Sequence, residues 1–179
     1  MIRKILNSIR SPEQAFRARL IEIAWREWRS PKTGDQYSRE NGGRAGQDWC
    51  GDFFAICARE AGVDLKIARH ILPSTYRLAS MDYADSFYAA HGLDPLKKID
   101  KSAILPGHVV VVKTTRGQAW GDHIVMPVEV RGDRLVCIEG NAHGLLPAGS
   151  WSPSRSVVLQ VRAFNDVVCA YEITRAHLR

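Results

Sequence analysis

Gly46-Gln47-Asp48-Trp49-Cys50-Gly51-Asp52-Phe53-Phe54-Ala55-Ile56-Cys57-Ala58 reads as a loop running into a buried helix. The stretch before it, Glu40 to Gly46, is rich in Gly, Arg and Asn, and Asp48 is a residue type that caps helix N-termini. Phe53, Ile56, Cys57 and Ala61 recur at helical spacing, and Gly62 marks a stop. Cys50 then falls in the first turn. Unpaired N–H groups and the positive end of the helix dipole favour a thiolate there, which makes Cys50 a candidate nucleophile. A cysteine taken alone is more often a small buried thiol. The reading therefore turns on which base the rest of the chain can supply.

Toward the N-terminus, Ser11-Pro12-Glu13-Gln14 has the form of a helix start, with Ser11 as cap, Pro12 at the first helical position and Gln14 completing a capping box. Phe16, Leu20, Ile23, Ala24 and Trp28 form an apolar stripe that Ser30-Pro31 ends. Lys32 to Gln47 is polar and glycine-rich, with Tyr37 its only aromatic, and reads as a long loop forming one wall of a cleft. Beyond Pro73, Tyr76, Ala79, Tyr83, Ala84, Phe87 and His91 suggest a further amphipathic helix stopped by Gly92.

From Pro106 the period changes. His108 to Lys113, Ile124 to Val130, Arg134 to Glu139, Ser156 to Ala163 and Val167 to Thr174 read as strands, and Arg131-Gly132-Asp133 as a hairpin turn. Helices followed by consecutive strands predict an α+β domain, N-terminal helices packed on an antiparallel β-sheet, as one unit over residues 1–179. With Gly132 at the centre of the turn, His123 lies opposite Asn141, and Glu139 is its diagonal neighbour on the same face. Pro127 lacks an N–H and can introduce a bulge that shifts this register by one. A thiol nucleophile needs a base, and the base needs a group that holds its ring. His123 is the base this geometry offers, and Glu139 and Asn141 are both in position to orient it.

Four segments occur in order: Trp49-Cys50-Gly51-Asp52-Phe53, Leu105-Pro106-Gly107-His108-Val109-Val110, Gly121-Asp122-His123-Ile124-Val125 and Ile138-Glu139-Gly140-Asn141. Together they resemble the CHAP family, the cysteine- and histidine-dependent amidohydrolase/peptidases of the papain-like superfamily, over roughly Ala24 to Asn141. The resemblance implies a papain-like fold and cleavage of peptidoglycan, as an N-acetylmuramoyl-L-alanine amidase or a stem-peptide endopeptidase. By carry-over Cys50 is the nucleophile, His123 the base and Glu139 the orienting residue, with Asn141 beside it. Two positions depart from the family: His108 stands where Asp usually follows Pro-Gly, and Asp122 rather than Gly precedes His123. His108 is thus a second candidate base. The tail from Trp151 onward carries no motif, though its two strands suit a small barrel-like sheet.

In this reading the Cys50 backbone N–H helps hold the oxyanion, with Gln47 as the candidate second donor. Trp49, Trp120 and Trp151 are candidate substrate-binding residues, each equally explained as a core or rim aromatic. No metal or other cofactor is called for; His70, His143 and His177 are scattered. Cys50 and Cys57, about 10 Å apart along one helix, are too far apart for a disulfide. Cys137 and Cys169 could pair only if their strands are neighbours, and free thiols are expected.

The chain has 179 residues, 45% hydrophobic and 25% charged, with a formal net charge of +6. That balance suits an anionic partner, but no nucleic-acid-binding motif is present. No apolar run approaches the roughly 20 residues of a membrane helix. Met1 to Arg10 is basic and lacks the apolar core of a signal peptide. The expectation is synthesis in the cytoplasm and action on the cell wall, as a phage lysin or as an antibacterial effector delivered by contact-dependent secretion. The partners are then bacterial peptidoglycan and a cognate immunity protein, with no nucleic acid or membrane. Two alternatives stay open: a papain-like hydrolase or transferase acting on a protein amide or thioester, and a non-catalytic binding module.

Overall fold

Val109-Val110-Val111-Val112 is an unbroken β-branched run, and all four residues are fully buried. Such a run belongs to a strand covered on both faces. In the computed structural model, which describes residues 11–63, 92, 96–114 and 123–179, it is an inner strand of a six-stranded antiparallel sheet. The strands are β1 (Lys97–Ile99), β2 (Val109–Val112), β3 (His123–Arg131), β4 (Arg134–Ala142), β5 (Ser156–Ala163) and β6 (Val167–Glu172). Among the described residues their order is β1-β6-β2-β3-β4-β5, with β1 and β5 at the two ends. Three helices precede the sheet among the described residues: α1 (Pro12–Arg29), α2 (Gly34–Glu40) and α3 (Cys50–Ala61). The architecture is mixed helix and antiparallel sheet. The helix expected over Tyr76 to His91 lies outside the described residues, as do His70, Trp120 and Asp122.

Helix α1 starts as its sequence predicts: the Ser11 hydroxyl accepts from the Gln14 N–H, and the Gln14 side chain returns the bond to the Ser11 N–H. Its buried stripe, Phe16, Leu20, Ile23 and Ala24, packs with Phe53, Phe54 and Ile56 of α3. The segment expected as a loop, Lys32 to Gln47, contains α2. Thr33 and Gln36 form a second capping box there, which starts the helix within the polar segment. Tyr37 on α2 is buried. Its hydroxyl donates to the Glu27 carboxylate of α1 at 2.7 Å, and its ring stacks on Trp49 at 5.3 Å.

The sheet faces two cores. Val109, Val111, Ile124, Met126, Ile138 and Val157 pack under the helices. Their alternates Val110, Val112, Val125, Leu135 and Cys137 form a second cluster. The β3–β4 hairpin turns at Gly132, whose φ of 57° is the left-handed conformation such a turn requires. Arg131 pairs with Arg134 at the turn. A bulge between Pro127 and Glu129 then moves the register by one step, so that Met126 faces Ile138. Cys137 and Cys169 lie on β4 and β6, which are not neighbours, and all four cysteines are free.

Helix α3 comes very close to β4 at Gly140. A Cβ placed there would lie 2.5 Å from the Phe53 Cβ and 2.8 Å from the Trp49 ring. Gly140→Ala is therefore expected to destabilise the fold by about 1–3 kcal/mol through overpacking. For a domain of this size that is a fall of several degrees in Tm, readable by calorimetry or by circular-dichroism melting.

Candidate active site

Cys50 is the first residue of α3, and His123 is the first residue of β3. The start of a helix carries N–H groups that have no intrahelical partner. The Cys50 side chain and the His123 ring line the same cleft and lie close enough to interact. On its other side, His123 Nε2 lies 3.0 Å from Glu139 Oε2, and it donates, since an ionised carboxylate only accepts. Nδ1 is then the nitrogen left for the sulfur. The start of a helix and two strands of one hairpin thus bring sulfur, imidazole and carboxylate together.

Glu139 is completely buried. A buried carboxylate is tolerable only when paired and hydrogen-bonded. Arg162 on β5 supplies the pairing with two bonds, Nε to Oε1 at 2.7 Å and Nη2 to Oε2 at 2.5 Å. In register, Arg162 faces Leu135 and Gln160 faces Cys137. The guanidinium therefore reaches four residues along β4, past Cys137, to find Glu139. Burial alone would raise the Glu139 pKa, but the bonds from Arg162 and His123 outweigh it and hold the carboxyl below its ordinary value. Burial likewise opposes the charged form of His123. The hydrogen bonds from Cys50 and Glu139, with the Glu139 charge, overcome it and raise the imidazole to about 9. A cation held beside a sulfur is the electrostatic condition for thiolate chemistry. Burial pushes the thiols of Cys57, Cys137 and Cys169 up instead.

Cys50 and His123 form part of the wall of an open cleft of about 410 Å³, together with Asp48, Trp151, Arg155 and Gln160. Both are themselves nearly buried, at 2% and 6% exposure, so the reactive pair sits at the cleft floor rather than on the rim. Trp151 stands at the mouth, 65% exposed. It rides on a hydrogen-bonded connection between β4 and β5: Leu146 N–H donates to the Ser150 carbonyl, Ser152 N–H to the Gly144 carbonyl, and the Trp28 indole to the Leu145 carbonyl.

Several expected site residues sit elsewhere or do something else. Asn141 does not hold His123. Its φ of 60° departs from the extended strand, and its side-chain amide donates to Asp48 at 2.9 Å. Asp48 in turn does not cap α3. Trp49 occupies the cap position without a side-chain bond, and the Asp48 carboxylate accepts from Asn141 and from Arg155 at 2.7 Å. The Gln47 amide is engaged at both ends, donating to Asp52 and accepting from the Arg44 N–H, and Gln47 is not among the residues lining the cleft. Trp49 is core: it is 7% exposed, stacked on Tyr37, and fitted against Gly34 and Gly140. None of Lys32 to Gln47 contributes to the cleft wall, although Asp48 does. Trp120 lies outside the described residues.

His108 is not an alternative base for Cys50. His123 pairs with Val112 at one end of β2, while His108 lies beyond the other end, about 13 Å away at strand rise. It is buried, and its Nδ1 accepts from the Leu105 N–H. Burial, then the Arg17 charge, lower its pKa to about 4. Arg162 and Arg155 were not anticipated. The available signal was the alternation of β5, which places Gln160 and Arg162 on the face opposite Val157 and Leu159.

No family model, no curated protein and no solved structure matches the chain.

Because the folded pKa of His123 stands above the ordinary 6.5, its stabilising contribution is complete below that pH and is lost as pH rises through about 9. Imidazole NMR should show His123 titrating near the upper value, and Glu139→Gln should lower it by at least one unit. A His123 titration unmoved by Glu139→Gln would remove the carboxylate from the set.

Proposed function

We propose that this chain is a papain-like cysteine amidohydrolase of the CHAP type that cleaves an amide bond in bacterial peptidoglycan. The observation that carries the reading is the Cys50 thiol beside His123 in the wall of an open cleft, with His123 hydrogen-bonded to the buried Glu139 carboxylate. The ordered sequence segments around Cys50, Val109, His123 and Glu139 support it. Helices lying against an antiparallel sheet agree with it at the level of architecture.

In the mechanism that follows, the Cys50 sulfur attacks the carbonyl carbon of the scissile amide. The negative charge that develops on oxygen is met by the free N–H groups at the start of α3. His123 gives its proton to the leaving nitrogen as the C–N bond breaks, which releases the amine and leaves a thioester on Cys50. Water then attacks the thioester carbonyl, passing a proton to His123, and the acid leaves with Cys50 restored. Glu139 keeps the ring oriented and its charge compensated throughout. Trp151 offers a flat apolar face at the mouth of the cleft, suited to a sugar ring or to the methyl groups of a stem peptide.

The bond is that of an N-acetylmuramoyl-L-alanine amidase or of a stem-peptide endopeptidase. The biological setting is a phage lysin, or an antibacterial effector whose producer holds a cognate inhibitor. Among the described residues, no helix is long and apolar enough to cross a membrane.

Purified protein is expected to lower the turbidity of isolated peptidoglycan, and mass spectrometry of the released fragments identifies the bond cut. Cys50→Ala and His123→Ala should each reduce the rate by on the order of 10³-fold or more. Full activity in both variants would sink the site, and activity on a protein amide with none on peptidoglycan would transfer it to another substrate. Trp151→Ala should raise KM several-fold with little change in kcat or Tm, as removal of an exposed binding face requires.

A further inference from the structure

The mechanism above uses Cys50, His123 and Glu139, yet the strongest bonds to Glu139 come from a residue the mechanism does not use. Arg162 holds both carboxylate oxygens and shares Oε2 with His123. Its side chain is 16% exposed and that of Glu139 is 0%. A surface ion pair contributes little, but a pair at this depth decides whether the carboxylate can exist as an anion at all.

We propose that Arg162 is a positioning residue of the reactive site: its fork fixes the Glu139 carboxylate in place and in charge balance, so that Glu139 can hold His123 toward Cys50. The proposal rests on Cys50 and His123 being the reactive pair, as in the reading above. It goes beyond that reading by making β5 part of the machinery. The groups facing the cluster are Cys50 from α3, His123 from β3, Cys137 beside Glu139 on β4, and Asp166 from the turn after β5. Among these, Arg162 is the cation that stays charged at every working pH. Without it, a buried Glu139 takes up a proton at higher pH. A neutral carboxyl no longer favours the imidazolium, and the sulfur loses the cation beside it.

The test reads Cys50 directly, by iodoacetamide labelling of the full chain across pH with Cys50→Ala as background. The wild-type profile sets the reference. Arg162→Gln should move the acid limb of the profile up by at least one pH unit and slow labelling at pH 6 at least tenfold, and Arg162→Lys should restore part of the shift. A folded Arg162→Gln protein with an unmoved limb overturns the proposal. Should that variant not fold, Glu139→Gln is compared with the double variant Glu139→Gln/Arg162→Gln. Equal profiles support a role acting through Glu139, and a further loss in the double variant overturns it. Peptidoglycan turbidity measured on the same proteins separates the two claims. A moved limb without clearing by the wild type rejects the substrate and keeps Arg162, whereas clearing with an unmoved limb does the reverse.

Discussion

The arrangement depends on an anion placed where water cannot reach it. Glu139 is fully enclosed between strands, and an isolated carboxylate there would be protonated. Its presence as an anion demands two donors from outside its own strand, and β3 and β5 flank β4 to provide them. His123 and Arg162 are thereby tied to one carboxylate, and the three strands share a fixed register at that point. The small side chain of Cys137 matters for the same reason: the guanidinium must pass it to reach Glu139, and a larger residue would stand in the way.

The sulfur arrives from the other side. Helix α3 is held against β4 by the Trp49 ring, which lies on Tyr37 and over Gly140. Tyr37 is fixed to α1 through Glu27, so α1, α2, α3 and β4 share one chain of contacts. Asn41 and Gln47 both donate to Asp52, anchoring the preceding loop to the first turn of α3. Asp48 links that loop to Asn141 and Arg155. The start of the helix is thus fixed by the apolar stack beneath and polar bonds beside it, and a reactive pair on separate elements needs such support to keep its geometry.

What the sequence made legible was local. The β3–β4 hairpin is closed by a two-residue turn, so alternation and one glycine suffice to bring His123 and Glu139 to one face. The Pro127 bulge, foreseen as a shift of one, sits where its missing N–H predicts. The start of α1 was legible for the same reason, because a capping box is a matter of four residues. What escaped depended on partners far along the chain. Asp48 has the chemistry of a cap, but Arg155 lies within reach and takes its carboxylate. Trp49 looks like a cleft aromatic until Gly34 and Gly140 leave room for its ring in the core. Arg162 gives no sign in its own strand of which anion it serves, because that is set by the pairing of β5 with β4.

A second buried carboxylate shows what separates a structural cluster from a reactive one. Glu27 is 4% exposed and is met, like Glu139, by one guanidinium and one weaker donor: Arg26 at 2.6 Å and the Tyr37 hydroxyl at 2.7 Å. The chemistry of charge compensation is the same, and a cysteine, Cys57, lies in its field. But Cys57 is enclosed at 0% exposure two turns into the helix, and burial with the Glu27 and Glu60 charges pushes its thiol up. Burial pushes the Tyr37 hydroxyl up as well, so the donor on Glu27 stays neutral. At Glu139 the weaker donor is a histidine, which can carry a full positive charge, and it shares the wall of an open cleft with a cysteine at a helix start. The carboxylate and the arginine are common to both clusters. The reactive character comes from the imidazole between carboxylate and thiol, and from access.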